Sequence, residues 1–144
     1  MTPDVRVAAR ARSPLPAAAA ARLARRVLEA ERRTAGSVSI TFVGPAGIRR
    51  LNRDYLHHDR LTDVISFGLG GPMLAADIYI CPAVAAANAR EFGTTPRREV
   101  ERLVVHGVLH ALGYDHPDGP RRTASPMWKR QERYLAKFAG AGAK

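Results

Sequence analysis

Three of the five histidines in this 144-residue chain fall within one run, His106-Gly107-Val108-Leu109-His110-Ala111-Leu112-Gly113-Tyr114-Asp115-His116. Val100, Leu103, Val104, Val108, Leu109 and Leu112 make the surrounding segment largely apolar at helical spacing. This predicts a buried helix that starts at Thr95-Pro96 and stops at Gly113. At 3.6 residues per turn, positions 106 and 110 differ by about 40° around the helix axis, so both imidazoles point the same way, one turn apart. A glycine at 113 can adopt the left-handed conformation and turn the chain back, which brings His116 up as a third ligand. Three imidazoles can share one ion at about 2.0–2.1 Å and leave a tetrahedral metal one open position. Structural zinc is usually closed by four ligands, so the expectation is a catalytic-type zinc site of His106, His110 and His116 plus water. A water held there would be acidic enough to act as a nucleophile near neutral pH. The same donors also suit nickel, copper or iron.

The rest of the chain reads as short strands interleaved with helices. Val5 and Val7 mark a first strand. Ser13-Pro14 is expected to cap a helix from Leu15 to about Arg33. Val38, Ile40 and Phe42 alternate as a half-buried strand, and residues 46–56 have helical spacing. The segment 57–61 is polar and reads as a loop. Val64, Ile65 and Phe67 form a strand stopped by the glycines at 68, 70 and 71, and Leu74 to Cys81 forms another. Pro82 opens an alanine-rich helix that Gly93 closes. Glu99 and Glu101 sit where acidic side chains complement a helix dipole. A last helix is expected over about Ala124 to Phe138. The fold class is α+β, a small mixed sheet packed against helices, in one domain over 1–144.

The formal net charge of +10 is unevenly distributed. Residues 1–53 carry 11 basic and 3 acidic side chains, residues 54–119 carry 5 and 9, and residues 120–144 carry 7 and 1. An acidic middle suits a divalent cation, and basic ends suit a polyanion. Only three of the 23 basic residues are lysine, and alanine is abundant, so coding composition accounts for part of the arginine excess. The lone cysteine, Cys81, cannot form an internal disulfide, which fits a reducing cytoplasm. No apolar run reaches the roughly 18–20 residues that would span a bilayer. The opening MTPDVRVAAR lacks the zones of a secretory leader, so none is expected.

The spacing HxxxHxxGxxH matches the metal ligands of the metzincin peptidases, which carry a Glu general base directly after the first His. Here that position is Gly107, which argues against peptide hydrolysis. The run HGVLHALGYDH resembles the signature of the YbeY family of bacterial metal-dependent endoribonucleases and ribosomal RNA maturation factors. Other segments agree: Leu51-Asn52 with Tyr55, Asp59 and Thr62-Asp63-Val64-Ile65-Ser66-Phe67; Ala76-Asp77-Ile78-Tyr79-Ile80-Cys81, with alanine where glycine is usual; Ala89-Arg90-Glu91-Phe92-Gly93; and Met127 with Glu132. The resemblance runs from about residue 37 to 138. It implies a zincin-like domain with a central histidine-bearing helix. It also implies zinc on His106, His110 and His116, and single-strand-specific RNA cleavage in maturation of the 3′ end of 16S rRNA and in ribosome quality control. The implied partners are single-stranded RNA and the small ribosomal subunit, with no membrane and no DNA. The sequence departs from the family at Leu56, where an Arg associated with RNA cleavage is common, and at Leu61, often a proline. His58 and Arg60 are therefore candidate catalytic groups beside Asp115, which reads equally as a base, as outer support for the metal or as a turn cap. Thr62, Asp63 and Ser66 are candidate substrate-binding residues or, equally, strand-start caps. The alternatives are a zinc-stabilised, non-catalytic ribosome assembly factor and, further off, a metallopeptidase.

Overall fold

Alternating apolar residues build the sheet on which everything else rests. In a computed structural model, which describes residues 3–68 and 73–139, the elements in chain order are β1 (Asp4–Ala9), α1 (Ala17–Ala30), β2 (Gly36–Phe42), α2 (Pro45–Leu56), β3 (Val64–Gly68), β4 (Leu74–Ile80), α3 (Pro82–Phe92), α4 (Pro96–Ala111), a 3-10 segment (Gly119–Ala124) and α5 (Pro126–Phe138). The strand order is β1-β2-β4-β3. β1 and β4 flank β2 in parallel, and β3 joins β4 antiparallel as an edge strand. The expected mixed sheet of an α+β fold is therefore present.

The register places Val38 beside Ala76, Ile40 beside Ile78 and Phe42 beside Ile80. Successive side chains of a strand point to opposite faces, so these six line one face together. That face is buried against Leu23, Val27 and Leu28 of α1 and Val104, Val105 and Val108 of α4. The opposite face carries a smaller cluster of Val43, Ile48, Ile65 and Cys81, where α2 covers the β3 side of the sheet. Burying an aliphatic side chain contributes about 1.5–3 kcal/mol, and α4 supplies several between the sheet and the other helices. It is thus a rigid central support for its two histidines.

Two helix starts differ from the sequence expectation, each for a local reason. Ser13 does not cap α1: its hydroxyl accepts from the N–H of Leu15 at 3.1 Å, and the helix begins after Pro16, which holds an extended conformation. A residue preceding proline is driven away from helical geometry, which keeps Leu15 out of the helix. The final helix begins at Pro126, because the Ser125 hydroxyl caps the N–H of Trp128 at 3.2 Å. Glu99 lies in the first turn of α4 as expected, and both it and Glu101 are buried, tied respectively to Arg102 and to the Arg97 and Arg98 pair. Gly68 ends β3 as expected, while the glycines at 70 and 71 lie outside the described residues.

Candidate metal centre

α4 ends as its sequence requires. Thr95 caps its start by accepting from the N–H of Arg98 at 3.1 Å, and at the other end Gly113 takes φ +101°, in the region that favours glycine. The turn places His116 back over His106 and His110. One nitrogen from each of the three rings lies within 4.8 Å of the others, and the ring centroids are 4.9, 5.1 and 5.2 Å apart. Three ring nitrogens gathered this closely offer a donor set of the kind that holds one metal ion.

The hydrogen bonds behind the rings decide which nitrogen faces the centre. Gln131 on α5 donates its amide N–H to Glu132 at 3.0 Å, so its Oε1 is the acceptor facing His106 Nδ1 at 2.7 Å. His106 therefore carries its proton on Nδ1 and presents the Nε2 lone pair to the cluster. His116 Nδ1 lies 3.0 Å from the carbonyl of Pro117, which can only accept, and this gives the same tautomer. Burial pulls the His106 pKa from 6.5 to about 4, so the ring stays neutral and able to ligate at neutral pH. Burial and the neighbouring His116 lower that of His110 as well. Three imidazoles, two of them with fixed tautomers, form a donor set that fits a divalent transition metal.

Gly107 fits tightly against the sheet. A Cβ at this position would lie 2.7 Å from Cγ2 of Ile78. The residue after the first ligand thus faces the core, and a glutamate there would meet Ile78 rather than the metal. The glycine records the close approach of α4 to β4, a reason beyond the mere absence of a peptidase base.

A cleft of about 610 Å³ opens beside the triad, lined by His106 with Asp63, Asn88, Arg102, Arg122 and Trp128 among others. Of the candidate substrate-binding residues, Asp63 reaches it. The Asp63 carboxylate accepts from Asn88 at 3.2 Å, and burial raises its pKa while the charge of Arg122 opposes the rise. Ser66 instead donates to the carbonyl of Gly107 at 3.2 Å, which ties β3 to α4. Thr62 is half-buried at the start of that strand. Asp115 is exposed, and its carboxylate accepts from the backbone N–H of His116 at 2.8 Å, so it braces the turn that presents the third ligand. His58 and Arg60 stand exposed in the loop after α2, and neither lines the cleft. That loop is pinned by Asn52, whose amide donates to the carbonyl of Arg60 at 3.1 Å. Leu56 and Leu61 are exposed beside Tyr55.

Two supports of the centre carry no local signal in the sequence. Glu31, just beyond α1, accepts from Tyr114 at 2.6 Å, from Arg130 at 2.9 Å and from the Tyr134 hydroxyl, locking the histidine turn to α1 and α5. Arg102 donates to both oxygens of Glu132, at 2.9 and 3.1 Å, and to Glu99 at 2.6 Å. Through Glu132 this network holds Gln131 in the orientation that His106 needs.

Fold and site together define an α+β domain whose central helix and following turn carry an open three-histidine cluster that could hold a metal ion. A profile of the YbeY family, described as Endoribonuclease YbeY, matches residues 8–139. The chain belongs to the YbeY family. It is 41% identical over 112 residues to an Endoribonuclease YbeY of Chlorobium luteolum, covering 76% of this chain and 79% of the relative. It is 37% identical over 116 residues to that of Chlorobaculum tepidum, covering 80% and 83%. The solution structure of TM1509 from Thermotoga maritima superposes with a TM-score of 0.73 at 28% identity, over 96% of this chain and 91% of that one.

Proposed function

We propose that this chain is a zinc-dependent, single-strand-specific endoribonuclease, one domain throughout. It acts in maturation of the 3′ end of 16S rRNA and in ribosome quality control, working on the small ribosomal subunit in the cytoplasm. The observation that carries the reading is the open cluster of three imidazoles, their nitrogens within 4.8 Å, beside a cleft lined by charged and polar groups. The names of its relatives, Endoribonuclease YbeY, supply the reaction class. Among the described residues no helix is long and apolar enough to cross a membrane.

His106, His110 and His116 would hold the ion, which when bound supplies Lewis acidity toward a phosphodiester. The protein's own groups do the rest. Burial keeps His106 neutral, and Gln131 keeps its proton on Nδ1, turned away from the cluster. Asp115 steadies the backbone of His116. Asp63, desolvated in the cleft, holds a proton to higher pH than an ordinary carboxyl group, which suits it to proton transfer near the substrate. His58 and Arg60 would meet RNA outside the cleft. Peptide hydrolysis is disfavoured, because position 107 faces Ile78.

The test couples metal analysis to cleavage of a single-stranded RNA by wild type and His110→Ala. About one zinc per chain and chelator-sensitive cleavage are expected in wild type, and loss of both in the variant. Cleavage that survives chelation and the substitution refutes the reading. Zinc-dependent folding with no cleavage by wild type would favour a non-catalytic assembly factor.

A further inference from the structure

Two arginines line the cleft beside the triad, and they are chemically different. Arg102 is neutralised by the carboxylates of Glu99 and Glu132. Arg122 has no carboxylate within 4.0 Å among the described residues, and its buried Nε finds no hydrogen-bond partner among them. Its guanidinium carbon lies 5.6 Å from the centre of the Trp128 ring. That contact orients the side chain, because Trp128 sits in the first turn of α5, where the Ser125 cap holds its backbone. The backbone of Arg122 is held too: its carbonyl accepts from the hydroxyl of Ser125 at 2.7 Å and from its N–H at 3.2 Å.

A buried donor without a partner is costly, and an acceptor oxygen entering the cleft beside Arg122 would satisfy it. A guanidinium with one face on an indole leaves its in-plane N–H groups free for the two oxygens of a phosphate, a match lysine cannot make. We infer that Arg122, oriented by Trp128, is the phosphate-binding residue of the cleft and holds an RNA backbone phosphate next to the metal. The inference rests on the RNA-cleaving reading and names the residue that positions the substrate there. No local pattern singles the residue out: it is one of two adjacent arginines in a polar segment, and only its place over Trp128 and beside His106 separates it from Arg121, which is exposed.

The test measures binding of a fluorescein-labelled, single-stranded 2′-O-methyl oligoribonucleotide, which resists cleavage, to zinc-loaded protein across a range of salt concentrations. Arg122→Ala is expected to weaken binding about tenfold or more. It should also reduce the slope of log affinity against log salt by about 0.7, the value for one lost phosphate contact on a single strand. Arg122→Lys should keep the wild-type slope while binding more weakly. Arg121→Ala, at the exposed neighbour, should cost clearly less than Arg122→Ala. Zinc content and melting temperature, measured on each variant, should stay at wild-type values. If wild type binds and Arg122→Ala binds with the same affinity and slope, the assignment is overturned while the RNA reading stands. Equal losses in Arg121→Ala and Arg122→Ala overturn it as well, because they indicate diffuse attraction. If wild type itself shows no salt-dependent binding, the RNA reading falls and takes the assignment with it.

Discussion

Substituting Gly107 by alanine tests how closely the histidine-bearing helix must approach the sheet. The added Cβ would lie 2.7 Å from Cγ2, 3.3 Å from Cδ1 and 3.5 Å from Cγ1 of Ile78. The nearest atom cannot swing away, because Cγ2 is fixed to a β-branched side chain, and Ile78 is wholly buried in a central strand. Overpacking of this kind costs about 1–3 kcal/mol. Replacing glycine by alanine inside a helix returns about 1 kcal/mol. Because that atom cannot give way, the upper part of the overpacking range applies, about 2–3 kcal/mol, and the net expectation is a loss of about 1–2 kcal/mol. For a chain of this size that lowers the melting temperature by roughly 2–8 °C. The same displacement moves His106 and His110 on the helix, so zinc affinity should fall along with stability. Thermal melts of the metal-free protein and a chromophoric chelator competition measure the two effects. A cycle with Ile78→Ala identifies the cause: the double variant should be more stable than additivity allows by about 1 kcal/mol or more. A Gly107→Ala protein as stable as wild type, or more so, would refute the argument, since helix propensity would then outweigh the contact.

Three further outcomes are expected. Gln131→Leu removes the acceptor that fixes the His106 tautomer and should weaken zinc binding about 10–100-fold; unchanged affinity in the chelator competition would show that Gln131 only fills space. The folded pKa of His106, near 4, lies below its unfolded value of 6.5. The unfolded chain therefore binds more protons between these values, so stability present above pH 6.5 is lost as the pH falls toward 4. The loss amounts to about 3 kcal/mol from this group. Urea unfolding of chelated protein at pH 7 and 4.5 should show it, and His106→Asn should flatten it, whereas an identical slope in both proteins counts against burial as the cause. Glu31→Ala strands two tyrosine hydroxyls and Arg130 and should cost about 2–4 kcal/mol; chemical denaturation checks the cost, and a loss under 0.5 kcal/mol would mean the node is not holding the turn.

The parts legible in the sequence are those whose geometry is local. An i, i+4 pair on a helix shares a face whatever surrounds it, and a glycine past the last turn is free to reverse the chain. The triad of His106, His110 and His116 was therefore readable, as were the strands with strict alternation, such as Val38, Ile40 and Phe42. Capping was less readable: Ser13 and Ser125 each precede a proline, but a second proline, Pro16, delays the first helix, so only Ser125 caps one. Ser66 and Asp63 looked alike as polar residues opening a strand, yet one ties β3 to α4 and the other faces the cleft. Only the packing of β3 against its neighbours separates them.

The sequence by itself settled that this chain can gather three imidazoles at the end of a buried helix, and that its charge is basic at the ends and acidic between. Tertiary structure alone decided what surrounds that cluster. It brought Gln131 from 25 residues away to orient His106, and Glu31 from 83 residues away to hold Tyr114. It turned Gly107 onto Ile78, and it placed Arg122 over Trp128 beside the triad. These pairings are long-range and fixed by how α1, α4, α5 and the sheet pack, and no periodicity along the chain encodes which side chains such packing brings face to face.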